Sequence, residues 1–379
     1  MRKVEKDYWN KKCTLCKYGS GCRDKENCSR SHTLEEKQKA INILKVETCY
    51  SWMRYNECCY KNNCRRLHGF KELENGSPYT CHLIKEIEMN KIPKARDIFP
   101  NGNILIQYDD ELCLLDPNGN NLFTAHRQFD IFHIIDNQKI LFSSGNRLMM
   151  ANLINREGQL DIEFIHNKEI ENKLINDYFK ILPNGNIIVN NGKNLEIIDQ
   201  NLALIKKTNI PSNDGNENDM CKYEIYVAKN RIFISTQSKI TDIYDFDLNF
   251  IDRIPDYFKE DSIIEIDDKM YFLWYEDGAT NDRTIGSWKF NEYSPNMNKK
   301  TKELKYKITH IYRGTNNQYF IGKSGATLIF YSTKDLKIVG YCQITHPRNG
   351  KVILKNDKIY VFYEKHTKME IHSIICNKK

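Results

Sequence analysis

Long apolar runs are missing from this sequence. No stretch of about 18 apolar residues occurs, which excludes a membrane-spanning helix. The opening residues, Met-Arg-Lys-Val-Glu-Lys-Asp-Tyr-Trp, lack the apolar segment of a secretory leader. An intracellular protein, in nucleus or cytoplasm and with reduced thiols, is therefore expected. Catalytic groupings are also scarce. His126, His133, His166, His310, His346, His366 and His372 stand apart from one another, and no carboxylate pair has a suggestive spacing. No enzyme is expected from such a chain.

Cysteine is plentiful but uneven. Eight of the 13 cysteines lie between Cys13 and Cys64, while Cys81, Cys113, Cys221, Cys342 and Cys376 are scattered like ordinary small core residues. A dense Cys/His cluster among reduced thiols reads as metal binding, not disulfides. Charge follows the same division. Residues 1–75 hold 17 of the 57 Lys and Arg but only 10 of the 50 Asp and Glu, so the net +7 lies there and the remainder balances. An anionic partner is expected at that end.

The cluster has a repeated spacing. Cys49, Cys58, Cys64 and His68 read C-x8-C-x5-C-x3-H, and Cys13, Cys22, Cys28 and His32 repeat all three gaps 36 residues earlier. Four N and S donors at short gaps suit a closed, tetrahedral, structural Zn²⁺, and the metal supplies folding energy that so short a segment cannot. Two structural zinc ions are expected. Cys16, at x5 before Cys22, is a second acceptable first ligand; the exact repeat favours Cys13. Thr33 is placed to cap a short helix through Leu34-Glu35-Glu36-Lys37, Ile41 and Leu44.

This spacing resembles the tandem CCCH zinc fingers of the tristetraprolin type, with one finger at 8–34 and another at 47–72. The lead-in Lys45-Val-Glu-Thr-Cys49 and the tail His68-Gly-Phe-Lys-Glu-Leu73 share the likeness. The resemblance implies binding of single-stranded RNA, whose unpaired bases offer faces for stacking. It implies stacking by Tyr18, Trp52 and Tyr60, and RNA contacts from Arg30, Arg54, Lys61, Arg65, Arg66 and Phe70. Finger one departs from the pattern, with Cys16 where finger two has Trp52 and Asp24 where it has Tyr60.

After a Gly- and Pro-containing boundary at 71–80 the texture becomes β-like. Seven turn doublets precede apolar cores beginning at Ile104, Ile140, Ile187, Ile232, Met270, Tyr319 and Ile359. Their mean spacing near 42 residues is the length of a four-stranded propeller blade. Third strands ending in Asp116, Asp199 and Asp245 resemble the end of a WD40 blade with its Trp replaced. The expected fold is mainly β: two small zinc-stabilised CCCH fingers, then a seven-bladed WD40-like β-propeller over 81–379. Residues 81–89 would close its last blade. Acidic loops at 211–220 and 275–283, with Asp256, Glu260 and Asp261, would offer a patch to a basic protein segment. Lys299, Lys300 and Lys302 would lie on the opposite face. The expected function is an RNA-binding adapter whose propeller docks protein partners. The alternative is a protein-interaction scaffold whose fingers do not touch RNA.

Overall fold

The computed structural model describes residues 8, 11–44, 48–60, 64, 66–73, 76–156, 159–170, 179–191, 194–210, 224–228, 231–236, 240–254, 263–266, 269–275, 288–293, 300–304, 306, 308–314, 317–345, 350–363 and 367–377. The acidic stretches 211–220 and 276–283, Asp256, Glu260, Asp261 and Lys299 lie outside these, as do the side chains of Lys300 and Lys302. The chain divides into two compact units. One comprises Met1–His82, Gln318–Arg348 and Ile374–Lys379; the other comprises Leu83–Asn317 and Asn349–Ser373. Among the described residues no helix is long and apolar enough to cross a membrane.

Two helices precede the strands, α1 (Leu34–Leu44) and α2 (Tyr50–Tyr55). Strand β1 is Tyr79–Glu88. Strands β2 to β5 are Ala95–Ile98, Ile104–Gln107, Leu112–Leu115 and Asn121–Ala125; β6 to β9 are Ile131–Ile134, Lys139–Ser144, Arg147–Arg156 and Gln159–Glu169. Strands β10 to β13 are Phe179–Ile181, Ile187–Asn190, Asn194–Ile198 and Leu204–Asn209; β14 to β17 are Glu224–Val227, Ile232–Thr236, Ile240–Tyr244 and Phe250–Ile254. Strands β18 to β21 are Ile263–Ile266, Lys269–Tyr275, Trp288–Tyr293 and Lys300–Glu303, followed by β22, His310–Arg313. Strands β23 to β25 are Tyr319–Ser324, Thr327–Ser332 and Ile338–Gln343; β26 to β28 are Gly350–Lys355, Lys358–Tyr363 and Lys368–Cys376.

In the second unit each set from β2–β5 to β18–β21 forms a four-stranded sheet in sequence order, and its strands pair antiparallel. Successive sheets stack face to face. Leu105, Leu112 and Leu114 pack with Phe132, Ile140 and Phe142. Leu141, Leu148 and Met150 pack with Phe179, Ile187 and Val189. A strand covered on both faces reads as a continuous apolar run. Ile104, Leu105 and Ile106 are accordingly all fully buried. All seven expected apolar cores lie on strands, beginning with β3 and ending with β27.

The Asp residues after the third strands have a common geometry. Asp116 Oδ1 accepts the backbone N–H groups of Asn118 and Asn120, Asp199 those of Asn201 and Ala203, and Asp245 those of Asp247 and Asn249, all at 2.7–2.9 Å. Each tightens the turn into the fourth strand, as short carboxylates do in Asx turns.

In the sheet order β1 lies beside β28. Within the second unit Met89 N–H donates to Thr367 C=O (2.8 Å), and Lys368 pairs with Glu86 at 2.7 Å. Ile87 and Met89 are buried with Phe362, Met369 and Ile371. In the first unit β23–β25 form an antiparallel meander, and Tyr79 and Thr80 pair in parallel with Gly340 and Tyr341. A Cβ at position 340 would sit 2.5 Å from the Tyr79 oxygen, so this pairing requires glycine.

Candidate metal centres

Finger two is assembled by a backbone clasp and a short helix. Cys49 N–H donates to Leu67 C=O (2.8 Å), which draws the first cysteine next to the residue preceding His68. The Thr48 hydroxyl adds a 2.8 Å bond to Gly69 C=O. Helix α2 then carries the chain away and stops at Asn56, whose φ of 56° is the left-handed conformation common just after a helix end. Cys58, Cys64 and His68 return to Cys49, with every ligand atom within 4.8 Å of the others. The Cys49 and Cys58 sulfurs are 3.7 Å apart. A tetrahedron with Zn–S near 2.3 Å places sulfurs about 3.8 Å apart. Burial pushes the Cys64 thiol up to about 11, so a cation is needed to draw out its thiolate.

Finger one repeats the clasp with a different first ligand. Cys16 N–H donates to Ser31 C=O (2.7 Å), the residue before His32, just as Cys49 does to Leu67. Cys16, Cys22, Cys28 and His32 have their ligand atoms within 4.8 Å of one another. The expectation of Cys13 is corrected: Cys13 is buried with Ala40 and Ile41 of α1. The physical reason is the connector. A single 3₁₀ turn, Gly19–Gly21, stands where finger two has α2, so five residues suffice where finger two uses eight.

The histidine of finger one fits a metal closely. His32 Nε2 is buried without a hydrogen-bond partner among the described residues. On the other side of the ring, Nδ1 lies 3.8 Å from Glu36 Oε2. Glu36 also accepts the His32 N–H (2.8 Å), while its own N–H donates to the Thr33 hydroxyl (3.0 Å). The helix cap thus aims a carboxylate at the ring, the arrangement that orients metal-bound imidazoles. The His32 N–H holds the Glu36 carboxyl below its usual range. His68 is instead steadied by Trp52, stacked at 6.0 Å and 7°.

The RNA-contact residues expected from the sequence divide into two groups. Phe70 is 4% exposed and Trp52 half-buried. Both pack edge-on against Tyr341, at 5.3 and 5.6 Å between ring centroids, in the same compact unit. Phe70 therefore packs in the interior and offers no face to a base. Around it finger two is bonded to β24 and the turn before it. Ala326 N–H donates to Arg54 C=O (3.0 Å), and the buried Thr327 hydroxyl donates to Met53 C=O (2.7 Å). Gly325 sits at φ 60°, and a Cβ there would lie 2.7 Å from Arg54 Cα. Met53, Gly325, Thr327 and Tyr341 escaped the sequence reading, because nothing local links residues some 270 positions apart.

The second group faces outward. Tyr18 is 69% and Tyr60 67% exposed, and Arg30 and Arg66 are exposed. The Arg54 guanidinium lies over the Tyr50 and Tyr55 rings, at 5.6 and 5.4 Å. Lys61 and Arg65 lie outside the described residues. A cleft of about 580 Å³ is lined by Lys37 and Ile41 of α1, by Tyr50, Ser51, Tyr60 and Arg66, and by the cysteines Cys13, Cys49, Cys58 and Cys64.

The stacked antiparallel sheets and the two Cys/His clusters define a class: a mainly β chain with a WD40-like β-propeller fold and two candidate zinc sites near its N-terminus. Among particular solved structures, it is similar to the WD40 domain of Pan2 from Neurospora crassa, at 11% identity and a TM-score of 0.54, over 79% of this chain and 96% of that one. It is also similar to BamB from Moraxella catarrhalis, at 8% identity and 0.51, over 77% and 99%. Raptor from Chaetomium thermophilum matches at 12% identity and 0.54, over 78% of this chain and 29% of that one. At such identities the likeness is one of fold. No family model matches the chain. No curated protein matches it either.

Proposed function

We propose that this chain is a non-enzymatic, intracellular RNA-binding adapter: two zinc-loaded CCCH fingers hold single-stranded RNA, and a seven-bladed propeller docks protein partners. The cleft beside finger two carries this reading. Its volume suits a nucleotide-sized group. Tyr50 and Tyr60 supply rings for stacking, and Lys37 and Arg66 supply charge for phosphate, the pairing of features that grips unpaired strands. The positive balance of residues 1–75 supports the same partner. Cys16, Cys22, Cys28 and His32 would hold one zinc, and Cys49, Cys58, Cys64 and His68 the other. The metal's contribution is folding, which keeps the Tyr and Arg side chains in place.

The test is fluorescence anisotropy of the full chain with a short U- and A-rich RNA across a salt series. Binding that weakens steeply with salt is expected, because each neutralised phosphate releases counterions. Tyr60→Ala with Arg66→Ala should weaken it by tenfold or more. No binding, or binding indifferent to that pair, would reject the reading. The packing of Trp52 and Phe70 on Tyr341 favours the second reading, a scaffold whose fingers serve as a fixed protein-docking module.

A further inference from the structure

The fourth strands of the sheets differ in what lies along their outer edges. Strand β25 has a neighbour there. Tyr79 and Thr80 of β1 pair in parallel with Gly340 and Tyr341, and the Ser77 hydroxyl donates to Val339 C=O (3.0 Å). Strand β13 ends its sheet, and among the described residues no strand pairs with its outer edge. The two strands are nonetheless built alike. Each carries one extra residue in a bulge. Val339 stands between the pairs Tyr331–Ile338 and Phe330–Gly340, and Ile205 between Ile198–Leu204 and Ile197–Lys206.

An open edge offers a row of backbone N–H and C=O groups to a further strand. On β13 that row is flanked by exposed apolar side chains, with Leu204 52% and Ile205 55% exposed, and then by the exposed Lys206 and Lys207. Strand β17 has the same bulge at Ile251, but its Asp252, Arg253 and Ile254 are half-buried and Arg253 is tied to Asp242 (2.6 Å). Charge selects the occupant of β13. Two copies joined antiparallel along all six residues would set Lys206 opposite Lys207, and like charges across a ladder destabilise it. An acidic strand meets opposite charge instead. Lys207 already draws Glu196 to 3.2 Å. The Lys206 charge reaches Asp245, whose two oxygens are engaged by Asp247 and Asn249. Direction follows from sterics. The close parallel approach at β25 needs Gly340, whereas Lys206 stands at the matching position of β13. An incoming strand there continues the antiparallel order of its sheet.

We propose that the outer edge of β13 captures an extended acidic segment of a partner protein, with carboxylates beside Lys206 and Lys207 and apolar side chains beside Leu204 and Ile205. The proposal rests on the protein-docking half of the adapter reading and names its surface. The test is fluorescence anisotropy of the full chain with the labelled hexapeptide Thr-Glu-Glu-Val-Val-Thr, together with backbone hydrogen exchange read by mass spectrometry. Binding below about 1 mM is expected, with exchange slowed over residues 204–209. The reversed peptide, Thr-Val-Val-Glu-Glu-Thr, should bind more weakly. Ile205→Asp should weaken binding at least tenfold while leaving the melting temperature unchanged. Lys206→Glu should weaken it severalfold and serves as the check if Ile205→Asp perturbs folding. Ile251→Asp, at the matching bulge of β17, should change nothing. No binding, full binding by both β13 variants, or a dimer of the chain that Ile205→Asp dissolves would overturn the proposal. Peptide held at another strand would also overturn it, while sparing the docking reading it rests on.

Discussion

Fingers one and two solve the same problem by different means. Both clasp the first cysteine to the residue before the histidine, Cys16 to Ser31 and Cys49 to Leu67. Between first and second ligands, however, one uses a 3₁₀ turn and the other a six-residue helix. One histidine is oriented by a carboxylate and the other by an indole. Finger one rests on its own helix α1 through Cys13, whereas finger two is bonded to β24 and packed on Tyr341. The clasp is therefore the invariant, and the connecting loop is free to vary so long as it returns four donors to one point.

The largest effect that could break this comparison is at the first ligand. Cys16→Ser should reduce zinc from two ions to one per chain, measured by elemental analysis, whereas Cys13→Ser should keep both. A structural zinc contributes on the order of 10 kcal/mol to folding its module. Cys13→Ser should cost only about 1–3 kcal/mol, by placing a hydroxyl among Ala40 and Ile41.

Next comes the glycine under finger two. Gly325 and Gly145 share the left-handed conformation, at φ 60° and 61°, but only Gly325 has a neighbour within 4 Å of an added Cβ. Substitution by Ala should cost about 1–2 kcal/mol at either position for the backbone alone. Gly325→Ala should cost distinctly more in thermal unfolding, because Arg54 must shift. Equal losses would show that finger two is not seated there.

Glu36→Gln should then lower the zinc affinity of finger one by about 10–100-fold in a chelator competition and leave finger two unaffected. The smallest effect is Thr327→Val, which removes the buried bond to Met53 C=O and should destabilise the first unit by about 1–2 kcal/mol.

Much of the sheet architecture was legible because it is locally encoded. The apolar cores beginning at Ile104, Ile140 and Ile359, each behind a turn doublet, lie on β3, β7 and β27. The Asp residues closing third strands are turn acceptors, which is why they recur at one position. The Thr33 cap is equally local, with the Glu36 N–H donating to the Thr33 hydroxyl. A repeated gap favours Cys13, but a repeated gap is not a repeated structure: a 3₁₀ turn and a helix span different lengths to the same end, and it is Cys16 that joins Cys22, Cys28 and His32. The Gly19–Gly21 turn was the available signal. The inward role of Trp52 and Phe70 was not legible. It depends on Tyr341, and an aromatic that packs and one that binds a base look alike in a sequence.

The division of finger two into an inward aromatic cluster and an outward cleft is the centre of the account. Ultraviolet crosslinking of the full chain to a short single-stranded RNA, with the attached residues located by mass spectrometry, tests it most directly. Crosslinks at Tyr50 and Tyr60, with none at Trp52 or Phe70, are predicted. Crosslinks concentrated at Trp52 and Phe70, or none anywhere in residues 8–75, would contradict it.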